Sequence, residues 1–408
     1  MKQLSPLTGF SPTTDDSAPV RAKDRIEAID VLRGLALFGV LMVNLVTEFR
    51  VSIFQQFLPS AASLPSVDRV TEAFVSVWLE SKAITLFSLL FGVGLAIQFE
   101  RLGSNESRLR LLIRRLIVLL IFGLIHICLI WNGDILTEYA LIGLVAVPFL
   151  YLSNRVLIIV VLMLFAFYAC QSSLVPPSFW PTQAWMQQYV TDANRIYATG
   201  SYLDIVNFRL QEMRGILPFL VWISPRTLAV FLTGILAWRN GLFRCPDLHK
   251  RTLISMAILG LSIGAMLTLS DRADSSSVSN RLLQFVSPFI PLAPVVLALG
   301  YASVVLLLVA FTNARRALNV FAPLGRMAFT NYILQSLIFG WIFYGYGLGY
   351  FGRLGAAETL ILGTAVYATQ MAVSAWWLGR YRFGPIEWLW RTITMMYGVR
   401  QPMIQSRV

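Results

Sequence analysis

Long apolar runs, separated by short polar stretches that carry arginine, set the pattern of this chain. A helix that crosses the hydrocarbon core of a bilayer needs about 20 mostly apolar residues. Runs of that kind fall at 31–49, 83–99, 112–131, 134–152, 155–171, 217–238, 252–270, 289–311, 328–346 and 358–378. The pattern predicts an all-α polytopic membrane protein of about ten transmembrane helices. Residues 1–24 open MKQLSPLTGFSPTTDDSAPV, rich in Ser, Thr and Pro, and read as a disordered cytoplasmic tail rather than a secretory signal. A single membrane domain follows at 25–402, with one five-helix half at 25–171 and a second at 217–402. Between the halves, 172–216 is too long for a turn and sets aromatic beside polar residues, as in SFWPTQAWMQQYV. An amphipathic segment at the outer interface is expected there, with a lid or substrate vestibule as the alternative.

Composition supports the membrane reading: 57% of residues are hydrophobic and only 13% charged, about half the charged share of a soluble domain. The net charge of +12 does not point to nucleic acid, because no basic block with interleaved polar aromatics occurs. Instead the basic residues alternate from loop to loop. With the N-terminus inside, the inner segments carry 22 Lys and Arg and the outer ones 10, which predicts both termini in the cytoplasm. Cys128, Cys170 and Cys245 form neither a disulfide framework nor a metal-ligand spacing, and His249 beside Cys245 reads as solvated, so no metal is expected.

Ionisable and amide side chains inside apolar runs are costly, and they are the best pointers to function. Arg33 and Asn44 share a face of the first run, 11 residues and roughly 16 Å apart. An arginine snorkelling to lipid phosphate and an asparagine bonding a neighbouring helix would explain them equally well. Arg114 and Arg115 open the third run as positive-inside anchors, and His126 lies 11 residues after Arg115 on the same face. Asp134 follows across Asn132-Gly133, a turn-favouring dipeptide. If the chain doubles back there, Asp134 meets His126 and fixes its tautomer, as a histidine general base requires. The plainer alternative is a neutral buried histidine and an aspartate capping the next helix. Trp131, Asn44, Asn331 and Gln335 are candidate pocket-lining residues; helix packing alone would also account for Asn331 and Gln335, which are four residues apart. Near the end, Glu387 and Arg391 are spaced for an ion pair within an interfacial helix that carries Trp388 and Trp390.

Five segments, in order, carry a family resemblance: RIEAIDVLRGLALFGVLMVN, SKAITLFSLLFGVGLAIQ, RRLIVLLIFGLIHICLIWNGDIL, GRMAFTNYILQS and RFGPIEWLWR. Together they resemble the YeiB-like proteins, defined by domain of unknown function 418, over nearly all of Arg25 to Pro402. The DVLRGLA opening is also distantly similar to transmembrane acyltransferases of the heparan-alpha-glucosaminide N-acetyltransferase type. That resemblance implies acyl transfer from an acyl-CoA co-substrate to a hydroxyl or amine of a small-molecule, lipid or glycan acceptor. His126 would be the base or the acyl carrier, Asp134 its orienting partner, and Arg33, Arg114 and Arg115 the donor's phosphate ligands. Some members of that wider set carry a histidine late in the first span, where this chain has Asn44. The expected setting is a bacterial inner membrane, with lipids as partners, no nucleic acid and no tightly bound cofactor. A small-molecule or lipid transporter or flippase is the alternative function, and a non-catalytic assembly partner is a third.

Overall fold

The computed structural model describes residues 27–58, 65–102, 107–171, 174–271 and 286–395, so the expected tail at 1–24 lies outside the described residues. Helix dominates and no strand occurs among the described residues. In chain order the α-helices are α1 (Glu27–Asn44), α2 (Ser66–Trp78), α3 (Lys82–Arg101), α4 (Ser107–Ile125), α5 (Leu136–Ala146), α6 (Asn154–Cys170), α7 (Gln183–Thr199) and α8 (Tyr202–Arg239). They continue as α9 (Lys250–Ser270), α10 (Ala293–Phe311), α11 (Ala314–Leu318), α12 (Ala322–Arg326), α13 (Ala328–Phe343), α14 (Ala356–Leu378) and α15 (Pro385–Thr394).

This is an all-helical polytopic membrane protein. Each of the ten apolar runs lies on a helix, but among the described residues six helical segments are long and apolar enough to cross a membrane. They are Glu27–Phe49, Ser66–Arg101, Arg108–Ile130, Tyr202–Arg239, Lys250–Ser270 and Ser287–Phe311. Leu136–Tyr151, Asn154–Cys170 and Ala328–Phe343 are apolar but shorter, and α14 has 23 residues with Glu358 and Gln370 among them. The count of ten spans is therefore not reached by length and apolarity. Large apolar side chains face outward along the bundle, with Ile121, Leu162, Met163, Ile258 and Ile361 all half or more exposed. Exposed leucine, isoleucine and methionine on this scale suit lipid rather than water.

The described part of the expected outer segment at 172–216 carries two helices. α7 is a separate helix, but its successor α8 starts at Tyr202 and runs unbroken for 38 residues, through Pro218 and Pro225. That is about 57 Å at 1.5 Å per residue, well beyond the roughly 30 Å hydrocarbon core, so the helix runs on from the outer segment into the span expected from 217. Ser201 and Asp204 form a capping box that sets this start. Farther along, α8 packs on α3 so closely that a Cβ on Gly92 or Gly234 would collide with the other helix's backbone. Glycine is what allows that approach in a bundle without a hydrophobic drive between helices.

Two large apolar clusters result among the described residues, with a small third one of Val43, Val46, Val75 and Ala356. One gathers α3, the start of α1, α4, α5, α6, the end of α8, α9 and α10. The other gathers the end of α1, Trp131, α7, the start of α8, α13 and α14, and it surrounds the buried polar groups considered next.

Candidate active site

Two of the helices that frame this region end in a widened turn. The His126 carbonyl accepts from the Trp131 N–H at 2.8 Å, and the Leu45 carbonyl accepts from the Arg50 N–H at 3.2 Å. Both are five-residue closures, so α4 finishes in a π-helical turn at His126–Ile130 and α1 in one at Leu45–Phe49. Such turns recur at functional sites, because they re-aim side chains that a regular helix would point elsewhere. Here they present His126 and Glu48.

His126 is fully buried and held on both sides. Its Nδ1 stands 2.9 Å from Asp134 Oδ1, and its Nε2 lies 2.9 Å from the Ser336 hydroxyl on α13. The Asp134 contact is bent, since neither Nδ1 nor Oδ1 has a well-aligned hydrogen-bond partner. The second carboxylate oxygen, Oδ2, accepts from the Thr137 N–H at 2.7 Å. Asp134 therefore caps the start of α5 with one oxygen and faces the imidazole with the other. With the proton on Nδ1 towards the carboxylate, Nε2 keeps its lone pair and accepts from Ser336. The Ser336 hydroxyl's other acceptor, the Tyr332 carbonyl one turn back, is farther at 3.2 Å. Tyr332 also closes the turn: its hydroxyl donates to the Gly133 carbonyl at 3.1 Å and accepts from the Ile135 N–H at 3.3 Å. Gly133 has no positive φ; a Cβ there would strike Glu48 and the Trp131 ring, and this crowding is what demands glycine.

A second polar group begins at the residue between the pair. Asn132 donates to Glu212 Oε2 at 2.5 Å, and the Tyr197 hydroxyl donates to the same oxygen at 2.8 Å. Arg209, one helical turn before Glu212, is fully buried over the Tyr344 ring at 5.8 Å. Burial, reinforced by the nearby Glu212 carboxylate, holds the Tyr197 and Tyr189 phenols far above their usual range, so both are neutral donors.

The remaining candidates are dispersed. Trp131 is buried and stacks on Phe49 with centroids 4.3 Å apart, which makes it a wall of the site. Asn44 is buried where α1 gives way to its π-helical turn. Asn331 donates to Ser374 at 3.0 Å and Gln335 to Gln370 at 2.8 Å, so they join α13 to α14. Arg33 sits 3.6 Å from Asp30 with 31% of its side chain exposed. Arg114 donates to the Ile393 carbonyl at 2.7 Å, and Arg115 lies 4.4 Å over Trp390, whose indole N–H bonds the Arg115 carbonyl. The structure thus engages Arg114 and Arg115 with α15 and does not bring them to His126. Glu387 accepts from the Thr330 N–H and hydroxyl at 3.0 and 2.5 Å, while Arg391 lies 4.3 Å over the Phe383 ring. Burial raises the Glu387 carboxyl above its usual range.

Sequence reasoning overlooked Ser336, Tyr332, Asn132, Glu48, Arg209 and Glu212. Ser336 immediately follows Gln335, and a helical wheel puts it about 100° away from the face assigned to Asn331 and Gln335. Arg209 and Glu212 lay in a stretch read as interfacial, where a pair at i and i+3 is ordinarily solvated.

Comparison with known proteins bears on the whole chain. A family model described as "Protein of unknown function (DUF418)" matches residues 237–397. The uncharacterized protein YxaH of Bacillus subtilis (strain 168) is 33% identical over 93% of this chain and 96% of its own length. An uncharacterized 39.9 kDa protein in the amylase 3' region of Bacillus acidopullulyticus is 28% identical over 95% of this chain and 99% of its own. The uncharacterized protein YeiB of Escherichia coli (strain K12) is 28% identical over 91% and 97%.

Proposed function

The chain belongs to the DUF418 family, and from that premise we propose that it is a membrane acyltransferase worked by Ser336, His126 and Asp134. The observation that carries this reading is the order of contacts, a carboxylate on Nδ1 and a serine hydroxyl on Nε2 of one buried histidine. That constellation makes serine a nucleophile on unrelated folds, and it is recognised by geometry and roles rather than by sequence position.

In the forward step, Ser336 Oγ attacks the carbonyl carbon of an acyl thioester while His126 Nε2 takes its proton. The C–S bond breaks and the thiolate leaves with that proton, giving an acyl-serine. An acceptor hydroxyl or amine then loses a proton to Nε2 and attacks the same carbonyl; the ester bond breaks and Ser336 regains its proton. Asp134 does not take the proton; it holds the ring and stabilises the imidazolium that forms in each half. The expectation that acyl-CoA is the donor stays with this reading. Arg33, partly exposed at the start of α1, is the arginine assigned to its phosphates.

The test is transfer from radiolabelled acetyl-CoA by the purified full-length protein across a broad panel of hydroxyl and amine acceptors. Wild type should turn over and retain label after denaturation, and Ser336→Ala should do neither. No turnover with any acceptor, or a Ser336→Ala variant as active as wild type, sinks the proposal. A second reading draws on a different observation: Asp134, Arg209 and Glu212 join His126 as buried ionisable residues, and Glu48 adds a buried carboxyl oxygen. Such a chain also suits a transport path. Uptake or efflux by proteoliposomes without any acyl donor would favour a transporter or flippase.

A further inference from the structure

Arg209 is the least explained charge in the molecule. It has no exposed surface, and Nε, Nη1 and Nη2 are all buried without a hydrogen-bond partner. A guanidinium stripped of water and left without acceptors costs several kcal/mol, roughly the penalty of a broken buried ion pair. Its surroundings are unsatisfied in the opposite sense as well. Glu212 engages Asn132 and Tyr197 through Oε2 alone, and Oε1 is buried with no partner. Glu48 Oε2, packed against Gly133, is likewise buried and unpartnered. One neutral donor, the Trp131 indole N–H, is in the same condition.

The charges select the ligand. A plain anion would satisfy Arg209 but would meet two carboxylates nearby, and a plain cation would satisfy the carboxylates but face the guanidinium. Only a group with both signs pairs every member. We propose that this cluster binds a small zwitterion, an oxyanion (carboxylate or phosphate) a few bonds from a protonated primary amine. The guanidinium fork receives the oxyanion, for which its planar bidentate geometry is suited. The ammonium lies between Glu212 Oε1 and Glu48 Oε2.

Access also fits. An open cleft of about 660 Å³ between α7 and α8 is lined by Trp185, Tyr189, Phe208 and Arg214 among others. Tyr189 and Phe208, stacked at 4.7 Å, form the wall between this cleft and the Arg209 group. Trp185 stacks on Tyr189 in turn at 5.0 Å, so a movement of these rings would open the way. The same chemistry is found in a dissolved amino acid and in the ethanolamine phosphate head of a lipid.

Binding needs no acyl donor, so this inference and the acyltransferase reading fail separately. The full-length protein in phosphatidylcholine nanodiscs is titrated with glycine and with O-phosphoethanolamine, and thermal unfolding is followed. A second arm replaces part of the phosphatidylcholine with phosphatidylethanolamine. Either zwitterion should raise the midpoint progressively with concentration, as any ligand of the native state must. Acetate or methylamine alone should need at least ~10-fold higher concentration for the same shift, because each leaves half the cluster unpaired. A response to dissolved zwitterions identifies a soluble ligand, and a response confined to phosphatidylethanolamine discs identifies the lipid head. Arg209→Gln should weaken binding by about 100-fold, the scale of a lost charge-assisted pair. Should that variant fail to fold, Arg209→Lys keeps the charge, loses the fork, and should bind about 10-fold more weakly. No response in either arm, or an Arg209 variant that responds like wild type, overturns the proposal.

Discussion

Two buried polar groups meet at Asn132-Gly133, and they are built in opposite ways. In the first, opposite groups face each other in line: Asp134 turns one oxygen to the Thr137 N–H and the other, at a bent angle, to His126, whose far nitrogen meets Ser336. In the second, Glu212 is half satisfied and Arg209 has no acceptor. The first is organised for proton movement along a fixed line. The second has capacity left over, which is the condition of a binding site awaiting a charged partner. One backbone turn joins them, with Asn132 bonded to Glu212 and Asp134 set against His126.

The largest effect should come from breaking the first group. Ser336→Ala and His126→Ala are each expected to cut acyl incorporation by about 10³-fold or more, measured as label transferred per minute. The double variant should be little worse than either single one, because residues acting as a unit are not additive. Ordinary additive losses would mean that the two contacts are only packing.

The second group should show its character in stability. Glu212→Leu removes the acceptor of Asn132 and Tyr197 and leaves Arg209 without its nearest countercharge, so a loss of about 3–5 kcal/mol is expected. Arg209→Met removes an unpaired buried charge, and the unliganded protein should be no less stable, or slightly more so. Thermal unfolding in detergent checks both, and an equal loss in the two variants would show that Arg209 is already paired in the free protein.

How much of this was legible beforehand divides along the same line. The helices, their approximate positions and the His126–Asp134 meeting could be read because each rests on a short contiguous segment. Apolar runs give helices, and Asn132-Gly133 gives the turn that lets Asp134 reach back. Ser336 could not be found that way, since it arrives from 210 residues downstream on a helix whose partner face is set by packing. Arg209 and Glu212 were hidden because a sequence window reads them within a surface segment, whereas the helix that starts at Ser201 and Asp204 carries them continuously into the following apolar run. The π-helical turns that aim His126 and Glu48 leave no periodicity to detect over five residues. For Arg114 and Arg115 the sequence leaves the partner open. Arginine at a helix start suits phosphate, but it also suits the Trp390 ring and carbonyl ends of α15 that occupy these two.

At the junction itself a smaller loss is expected. Gly133→Ala would push a methyl into Glu48 and the Trp131 ring, costing about 1–3 kcal/mol if neither can shift. Because Glu48 belongs to the second group and Trp131 borders the first, this single methyl should also weaken both zwitterion binding and acyl incorporation. An effect on one alone would show that the groups are independent.

The smallest change in stability, and the most informative one, is expected at Asp134→Asn. Asparagine is as good a helix cap as aspartate, so α5 need not lose its start. What it lacks is a second acceptor. The carboxylate serves the Thr137 N–H with Oδ2 and the histidine with Oδ1, whereas an amide has one oxygen for both donors. If the oxygen stays on Thr137, the amide N–H₂ faces Nδ1, the histidine proton moves to Nε2, and Ser336 loses its base. Acyl incorporation should then fall about 10²–10⁴-fold with stability changed by less than about 0.5 kcal/mol. If the oxygen turns to His126 instead, the base survives in part and the cap is lost, at about 1 kcal/mol. Unfolding and turnover measured on the same preparation separate the two arrangements. A variant that keeps both properties would show that Asp134 holds the histidine no more tightly than any neighbouring polar group would, and the comparison drawn between the two sites would lose its first half.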